Sequence, residues 1–270
     1  MDNIFKPKTI TLSNGKVVTE KKSNTLLISI ILLAFLIIAL RVTGFNSKIL
    51  AKNGRNLFVI LKDLFNPDWA YLPKVIGPTI DTIKMSLFGS FLGALFSLPI
   101  AFLAASNMVN NKFVNWFFKL VFTIFRTLPT LVIALIATYV FGLGTLAGTF
   151  AIFIFSFAYV GKIMYEEIET QNLGAYEAMI SMGYTRTMAF FKGVIPSIMA
   201  TYISTSLFNF EGNVRYASIL GYVGAGGLGL LINENIGWRD YNRVGTILFA
   251  LVITVFVIEL ISRTIRKRLS

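Results

Sequence analysis

The 270-residue sequence contains no cysteine and no histidine. The chain can therefore form no disulfide, and it lacks thiol nucleophiles and the usual side-chain ligands of haem and zinc. Charged side chains make up only 14% of the residues, against roughly 25% in soluble domains. Because Asp and Glu together number 13, acid–base catalysis would have to rest on few carboxylates. The composition therefore disfavours an enzyme.

Apolar residues are present in excess. They make up 55% of the chain, phenylalanine alone occurs 25 times, and the mean hydropathy is +0.71. A globule of this size could not bury so much apolar surface, so a lipid bilayer is the expected solvent. The net charge of +12 is concentrated beside apolar runs, with Lys21 and Lys22 before the first and four cations within 263–268. Such flanks are typical of cytoplasmic membrane boundaries and argue against a nucleic-acid-binding surface.

The apolar runs predict an all-α membrane protein with about six transmembrane helices. We expect a cytoplasmic tail at 1–24, a first transmembrane helix at 25–42 and an extracytoplasmic loop at 43–75 that contains an amphipathic helix near Ile49–Leu64. A larger membrane domain follows at 76–263, and 264–270 forms a basic cytoplasmic tail. Five helices are expected in this membrane domain. The first three cover about Thr79–Ser106 with a kink near Pro99, a stretch that begins within 113–129 and ends at Phe141, and Thr145–Gly161. The last two run from Ser197 through Phe210 to a glycine-rich stretch and over Val244–Ile261.

Both termini are predicted to be cytoplasmic, because six spans return the chain to its starting side and both ends are basic. The first loop conflicts with this orientation, since six lysines and arginines between Arg41 and Lys74 would then lie outside. A five-span alternative, with the first apolar run lying in the membrane interface, removes the conflict. The remaining charges agree with six spans.

A polar stretch at 162–196 separates two of the predicted spans and would face the cytoplasm. It contains Glu177 and Ala178, then Gly183 six residues after the glutamate, and it closes at Pro196. This pattern resembles the E-A-A-x3-G loop of ABC importer permeases. In that family the loop forms a coupling helix that docks into a groove of the cytoplasmic ATPase. The resemblance therefore implies that Glu177, Ala178 and Gly183 couple this chain to an ATPase.

The coupling loop (162–196) departs from the family pattern at three positions. Met179 stands where alanine is usual, Gly193 stands where a larger apolar residue is usual, and Ile195 replaces leucine.

The resemblance extends over about residues 76–268 and includes three more motifs. The stretches Arg126–Pro129 (RTLP), Glu211–Arg215 (EGNVR) and Leu220–Gly229 (LGYVGAGGLG) look like those of phosphonate-type permeases of type I ABC importers, and Glu166–Glu169 also fits that subfamily. Methionine-type permeases share a similar glycine run. The resemblance implies a MetI-like permease fold and transport of phosphonates or related phosphorus oxyanions, with methionine or another small solute as the alternative.

The same resemblance implies a set of partners in a bacterial plasma membrane. A second permease subunit, either another copy or a close paralogue, would complete the pathway. Two ATPase subunits would bind ATP and Mg²⁺, so no cofactor is expected on this chain. An extracytoplasmic binding protein would deliver the substrate.

Polar residues inside the apolar regions are candidates for the translocation pathway. Glu211 and Arg215 are four residues apart and share one helical face, so they are either a self-neutralising pair or, with Asn213, part of the path of an anionic substrate. Arg126 either faces the pathway or extends to the membrane interface from a helix that lies along it at 112–125.

Four glycines, Gly224, Gly226, Gly227 and Gly229, could be mistaken for a nucleotide-binding loop. They have no βαβ context and no Gly-Lys-Ser/Thr ending, which such loops require. Close helix packing or an unwound, gate-like segment at membrane depth is the expected role.

Two functions of other classes remain as alternatives. An enzyme acting on lipid phosphates would need a carboxylate cluster, for which only Glu166, Glu167 and Glu169 are close in sequence. An ion-driven secondary carrier would normally contain inverted repeats, and the sequence contains none that we detect.

Overall fold

The computed structural model describes residues 9–11, 15–19 and 25–268, and these are mostly helical, which confirms the predicted all-α membrane architecture. The chain divides into two compact units, residues 1–59 and 60–270.

The first unit begins with a short hairpin within the predicted tail 1–24. Strands β1 (Thr9–Thr11) and β2 (Val17–Thr19) pair antiparallel, with Ile10 opposite Val18. The rest of the predicted tail, at 1–8, 12–14 and 20–24, lies outside the described residues. Helix α1 (Thr25–Val42) coincides with the predicted first span, and all of its residues are exposed. Its 18 residues rise about 27 Å, close to the thickness of a bilayer core.

Helix α2 (Ser47–Leu64) contains the boundary between the two units. Its apolar and basic residues alternate with helical periodicity, which agrees with the amphipathic helix predicted for this loop.

The second unit continues from the end of α2 with the remaining helices. They are α3 (Leu72–Ala104), α4 (Lys112–Thr127), α5 (Thr130–Phe141), α6 (Thr145–Thr170), α7 (Gly174–Ser181), α8 (Arg186–Ala189), α9 (Ile195–Leu220), α10 (Gly227–Gly237) and α11 (Tyr241–Lys267), with 3₁₀ turns at Trp69–Tyr71 and Gly221–Val223 and a π-helical turn at Phe190–Val194.

Four helices, α1, α3, α6 and α11, are long and apolar enough to cross a membrane singly. Two further spans arise if each bent pair of helices counts as one span. Helices α4 and α5 meet at 91°, and the helical stretch Arg186–Val223, which contains α8 and α9, meets α10 at 50°. The described residues therefore provide up to six spans, in agreement with the predicted number.

Several helices extend beyond their predicted ends. Helix α3 begins at Leu72 instead of Thr79 and runs through both internal prolines, α6 reaches Thr170 instead of Gly161, and α11 reaches Lys267 instead of Ile261. Charged residues mark where a helix leaves the bilayer, whereas the helix itself continues as long as its backbone hydrogen bonds do. The first nine residues of the predicted coupling loop therefore belong to α6.

Helices α3 and α6 pack closely along a stripe of small residues. A Cβ atom at Gly89 would lie 2.7 Å from Cγ2 of Ile152, and one at Gly93 would lie 2.5 Å from Cβ of Ser156. Glycine lets the two backbones approach, as is common for helix pairs in membranes. This pair forms the axis of the second unit, on which α4, α5 and α9 pack.

Candidate functional site

The glycine of the coupling motif ends a helix. The N–H of Gly183 donates to the carbonyl of Ile180 at 2.9 Å, and the N–H of Tyr184 donates to the carbonyl of Met179 at 3.1 Å. The φ angle of Gly183 is +87°, a left-handed conformation that costs other residues energy. Glycine is thus the residue that lets α7 stop and turn at this point.

The other motif residues lie on the outer surface of α7. Glu177 and Ala178 are exposed, while the neighbouring Tyr176 is buried against the helix bundle. Glu177 lines a groove of about 340 Å³, together with Arg186 and the α3–α4 connection. Within the described part of the chain, no ion pair involves its carboxylate. Glu177 is therefore available to a cation from outside the chain.

Gly193, where the sequence departs from the family pattern, lies against the backbone of α7. A Cβ atom there would lie 3.1 Å from both N and Cα of Tyr176. The departure therefore permits α7 to pack closely on the π-helical turn at Phe190–Val194.

The surface around the motif is also apolar. Large exposed side chains there belong to Ile180, Met182, Tyr184, Met188 and Phe191. A patch of this kind beside an unpaired carboxylate is typical of a protein interaction site.

The coupling loop is held to the membrane helices by Glu169, near the end of α6. Its carboxylate accepts hydrogen bonds from Lys119 Nζ at 2.7 Å and from the backbone N–H and Oγ of Ser106 at 2.7 and 2.6 Å. One carboxylate therefore joins α6, α4 and the segment after α3. Sequence reasoning grouped Glu169 with its neighbours but did not find these partners, which are distant in the chain.

Removing this anchor should cost more than removing a nearby glutamate. We expect Glu169→Ala to lower the free energy of unfolding by about 2 kcal/mol, because three donors lose a partly buried charged acceptor. Glu166→Ala is the matched control: its side chain is 51% exposed and pairs with Lys162 at 3.2 Å, so its loss should cost under about 0.5 kcal/mol. Thermal unfolding of the purified variants measures both, and equal midpoints would contradict the role of Glu169.

The three carboxylates considered for an enzyme do not form a cluster. Glu166 pairs with Lys162, Glu167 accepts from Gln171 at 2.7 Å, and Glu169 binds Lys119 and Ser106. Among the described residues there is also no group of three or more Asp and Glu side chains arranged to hold a metal ion.

Glu211 is buried in α9 and shared between two arginines. Nη2 of Arg215 lies 2.8 Å from its Oε1, and Nη2 of Arg266, in the last turn of α11, lies 3.5 Å from its Oε2. The pair predicted from the four-residue spacing is thus present, whereas no local motif indicates the second arginine. The Arg215 side chain is 55% exposed.

Asn213 lies on a different face of α9 from Arg215. It is 1% exposed, and its Nδ2 donates to Ser90 and Ser156, each at 2.8 Å. In this conformation Asn213 joins α9 to α3 and α6. The structure does not bring Asn213 and Arg215 to one surface. The place of Asn213 in the pathway stays a prediction.

Arg126 lies in the last turn of α4 and is exposed. The 91° bend between α4 and α5 follows directly, at 128–129. A helix perpendicular to a span can lie along the membrane surface, so this geometry favours the interfacial alternative for 112–125.

The glycine-rich stretch forms the break between α9 and α10. Gly224, Gly226 and Gly227 have φ angles of +76°, +78° and +68°. The carbonyl of Gly224 accepts from the N–H of Gly144 at 2.9 Å, and Thr82 Oγ1 accepts from the N–H of Leu228 at 2.8 Å. The break is thus an ordered turn docked on the α5–α6 connection and on α3.

Gly229, in the first turn of α10, packs against the backbone of the end of α9 and of the 3₁₀ turn at Gly221–Val223. A Cβ atom there would overlap the carbonyl of Ser218 and lie 2.8 Å from N of Gly221. The geometry of these glycines is one of close backbone packing.

Residues 97–270 match the family described as binding-protein-dependent transport system inner membrane component. The chain belongs to this family. The match begins inside α3 and includes the coupling loop, the arginines around Glu211 and the glycine break. The predicted class of protein, a permease subunit of such a transport system, is therefore confirmed.

Two relatives of this inner membrane component carry names that specify a substrate. The phosphate-import permease protein PhnE of Mycolicibacterium smegmatis is 32% identical over 188 residues, which are 70% of this chain and 35% of the relative's length. The phosphite transport system permease protein PtxC of Stutzerimonas stutzeri is 29% identical over 201 residues, which are 74% of this chain and 73% of that protein.

Solved structures show the same permease fold. A chain of the MetNI methionine ABC transporter in an inward-facing conformation superimposes with a TM-score of 0.66 at 20% identity, covering 75% of this chain and 99% of that one. This confirms the predicted MetI-like fold of the inner membrane component.

Proposed function

We propose that this chain is the transmembrane permease subunit of a type I ABC importer for phosphonates or related phosphorus oxyanions. The observation that carries the proposal is the construction of the coupling loop. An unpaired glutamate and an apolar surface are exposed on α7 and α8. Tyr176 and Phe190, on the buried side of the same segment, belong to a core cluster with residues of α3, α4 and α6. Such a surface suits a partner that moves the membrane helices.

An ATPase subunit would dock on this surface, with a cation against Glu177 and apolar side chains against Met182 and Phe191. Helix α8, the π-helical turn and α9 follow one another without an interruption. A displacement of α7 and α8 would therefore be transmitted along α9 to Glu211 and Arg215. ATP and Mg²⁺ would bind the ATPase, and no cofactor is assigned to this chain.

Two permease subunits, either two copies or close paralogues, would face each other across the pathway. Arg215 supports this arrangement, because an arginine exposed on a membrane helix avoids lipid and faces water or protein. Glu211, which pairs with Arg215, belongs to the same proposed polar path. Asn213 bonds to α3 and α6 instead, and Arg126 lies at the end of the helix that the 91° bend favours as interfacial, so neither is assigned to the path in this conformation. The glycine break at 224–229 would then act in close helix packing, the alternative that its backbone contacts favour over a gate-like segment.

The orientation of the chain follows from the coupling loop. The end of the bundle with α7 faces the cytoplasm of a bacterial plasma membrane, so both termini are cytoplasmic if α1 crosses fully. A binding protein docks on the opposite face and releases the substrate into an outward-open cavity. Alternating access is a rocking of the two subunits, driven by different contacts in each nucleotide state.

The phosphorus substrate is supported by the names of the two relatives and by the exposed arginine of α9, Arg215. The experiment that tests it is calorimetry on the cognate binding protein with methylphosphonate, phosphate, phosphite and methionine. We expect the phosphorus oxyanions to bind at micromolar concentrations or below and methionine to give no heat. Binding of methionine alone would replace the proposed substrate and leave the importer class intact.

A further inference from the structure

Two guanidinium groups from different helices converge on one buried carboxylate. Arg215 lies one turn further along α9 than Glu211, and Arg266 reaches the same carboxylate from the last turn of α11. The Glu211 side chain is 6% exposed, against 26% for Arg266 and 55% for Arg215. We call Arg215 and Arg266 the arginine pair.

The arginine pair has more charge and more donors than Glu211 can satisfy. Two guanidinium groups and one carboxylate leave a net charge of about +1, and each guanidinium has five N–H donors. Among the residues that the structure describes, the two guanidinium groups make one hydrogen bond, from Arg215 to Glu211, and the Arg266 guanidinium also lies 5.8 Å from the ring centroid of Phe208. The remaining donors are therefore available to a second anion, and both side chains are partly exposed.

The chemistry of these donors suits a tetrahedral oxyanion such as phosphate or a phosphonate. A guanidinium binds a carboxylate and a phosphate with the same two-pronged geometry, because both anions offer two oxygens at the right spacing. Glu211 and a phosphorus oxyanion are therefore alternative ligands for the same donors. A carboxylate fixed beside the pair would compete with any anion that enters.

We propose that the arginine pair is the oxyanion-binding site of the permease and that Glu211 is its internal competitor. The entering oxyanion takes donors of Arg215 and Arg266 from Glu211, and return of the carboxylate expels it. The site therefore binds weakly and releases its ligand. This inference rests on the proposed function and adds to it the contacts and the means of release, including Arg266, which no motif indicated.

The contribution of α11 explains how release couples to movement. Arg266 and Arg215 are on different helices, so the distance between them changes when α9 moves relative to α11. A separation of the pair leaves the oxyanion with one guanidinium, while Glu211 stays on the same helix as Arg215. The Glu211 carboxylate then binds Arg215 more strongly than the oxyanion does and displaces it.

The experiment is phosphorus NMR on the full chain in phosphatidylcholine nanodiscs, titrated with phosphate and methylphosphonate. We expect Arg266→Gln to weaken binding roughly tenfold or more, because a charge-assisted pair of hydrogen bonds is lost. Arg266→Lys should weaken phosphate binding as well, since an ammonium group cannot donate two parallel hydrogen bonds to one oxyanion. Glu211→Gln should tighten binding about tenfold by removing the competitor.

Arg263→Gln is the matched control. Arg263 is exposed on the same helix and takes part in no ion pair within the described residues, so its removal should leave phosphate binding unchanged. Size-exclusion profiles and helix content compare the folding of all variants. If Arg266→Gln and Arg263→Gln bind phosphate equally, or if Glu211→Gln weakens binding, the competitor model is overturned.

Lipid headgroups carry the same phosphate chemistry, and a second arm of the experiment separates the two sources. Titrations are repeated in nanodiscs that contain phosphatidylglycerol. A site for free oxyanions keeps its affinity for phosphate, whereas a lipid site loses it, and that loss would overturn the inference. The calorimetry on the binding protein is independent of this arm, so a failure of the proposed substrate is distinguishable from a failure of the arginine pair.

Discussion

Replacing Glu177 by alanine and Gly183 by valine in one chain is expected to abolish substrate-stimulated ATP hydrolysis in the reconstituted transporter. Valine is strained at the φ of +87° that ends α7, by about 1–3 kcal/mol, so the turn after the helix should rearrange. Loss of Glu177 removes the unpaired carboxylate from the docking surface. Folding and insertion should persist, because Glu177 is exposed and no atom lies within 4 Å of a Cβ at Gly183.

The control for this double variant replaces residues of the same types outside α7 and the turn that ends it. Glu166→Ala with Gly77→Val changes an exposed glutamate and a helical glycine that also has no atom within 4 Å of its Cβ position. ATP hydrolysis is measured with and without the loaded binding protein. Coupling that is unchanged in the Glu177 and Gly183 variant would remove the assignment of this loop.

The largest expected loss of stability follows from adding one methyl group at Gly221. A Cβ atom there would overlap the backbone of Gly229 and Leu230, which cannot move aside as a flexible side chain can. Gly221→Ala must therefore separate the glycine turn from α10. We expect the free energy of unfolding to fall by about 3 kcal/mol or more, with a lower yield of folded protein.

Gly237→Ala provides the comparison, since this glycine lies at the end of the same α10 and has no atom within 4 Å of its Cβ position. Its effect should stay within about 0.5 kcal/mol. Thermal unfolding in detergent, followed by helix content, measures both variants. A midpoint for Gly221→Ala equal to that of Gly237→Ala would show that the packing at the break is not as the structure describes it.

The positions of the membrane helices could be predicted because apolar runs record where the chain contacts lipid. Helix α1 at Thr25–Val42 coincides with its predicted range for that reason. The ends of α3, α6 and α11 could not be predicted from the apolar runs, because lipid contact and helical hydrogen bonding stop at different residues. Pro73 illustrates this: it suits the first turn of α3, where its missing N–H has no intrahelical partner, but the apolar pattern places it in the loop predicted at 43–75.

Local sequence motifs indicated the candidate site residues, whereas their contact partners on other helices are known only from the fold. Glu211 and Arg215 are neighbours on one helix turn, so their spacing predicted the pair. Arg266 reaches Glu211 only because α11 packs on α9, and no local pattern records that contact. The same holds for Asn213 and Ser156, which lie on different helices. The Gly89 and Gly93 spacing is a small-residue motif that could have indicated the packing of α3, although not its partner α6.

Uptake into proteoliposomes tests the central claim most directly. The vesicles contain this chain, its second permease subunit and the ATPase, with the binding protein outside and ATP inside. The account predicts accumulation of radiolabelled phosphate, phosphite or methylphosphonate that requires both ATP and the binding protein, and no accumulation of methionine. Uptake that proceeds without the ATPase, or ATP-dependent uptake of methionine alone, would contradict it.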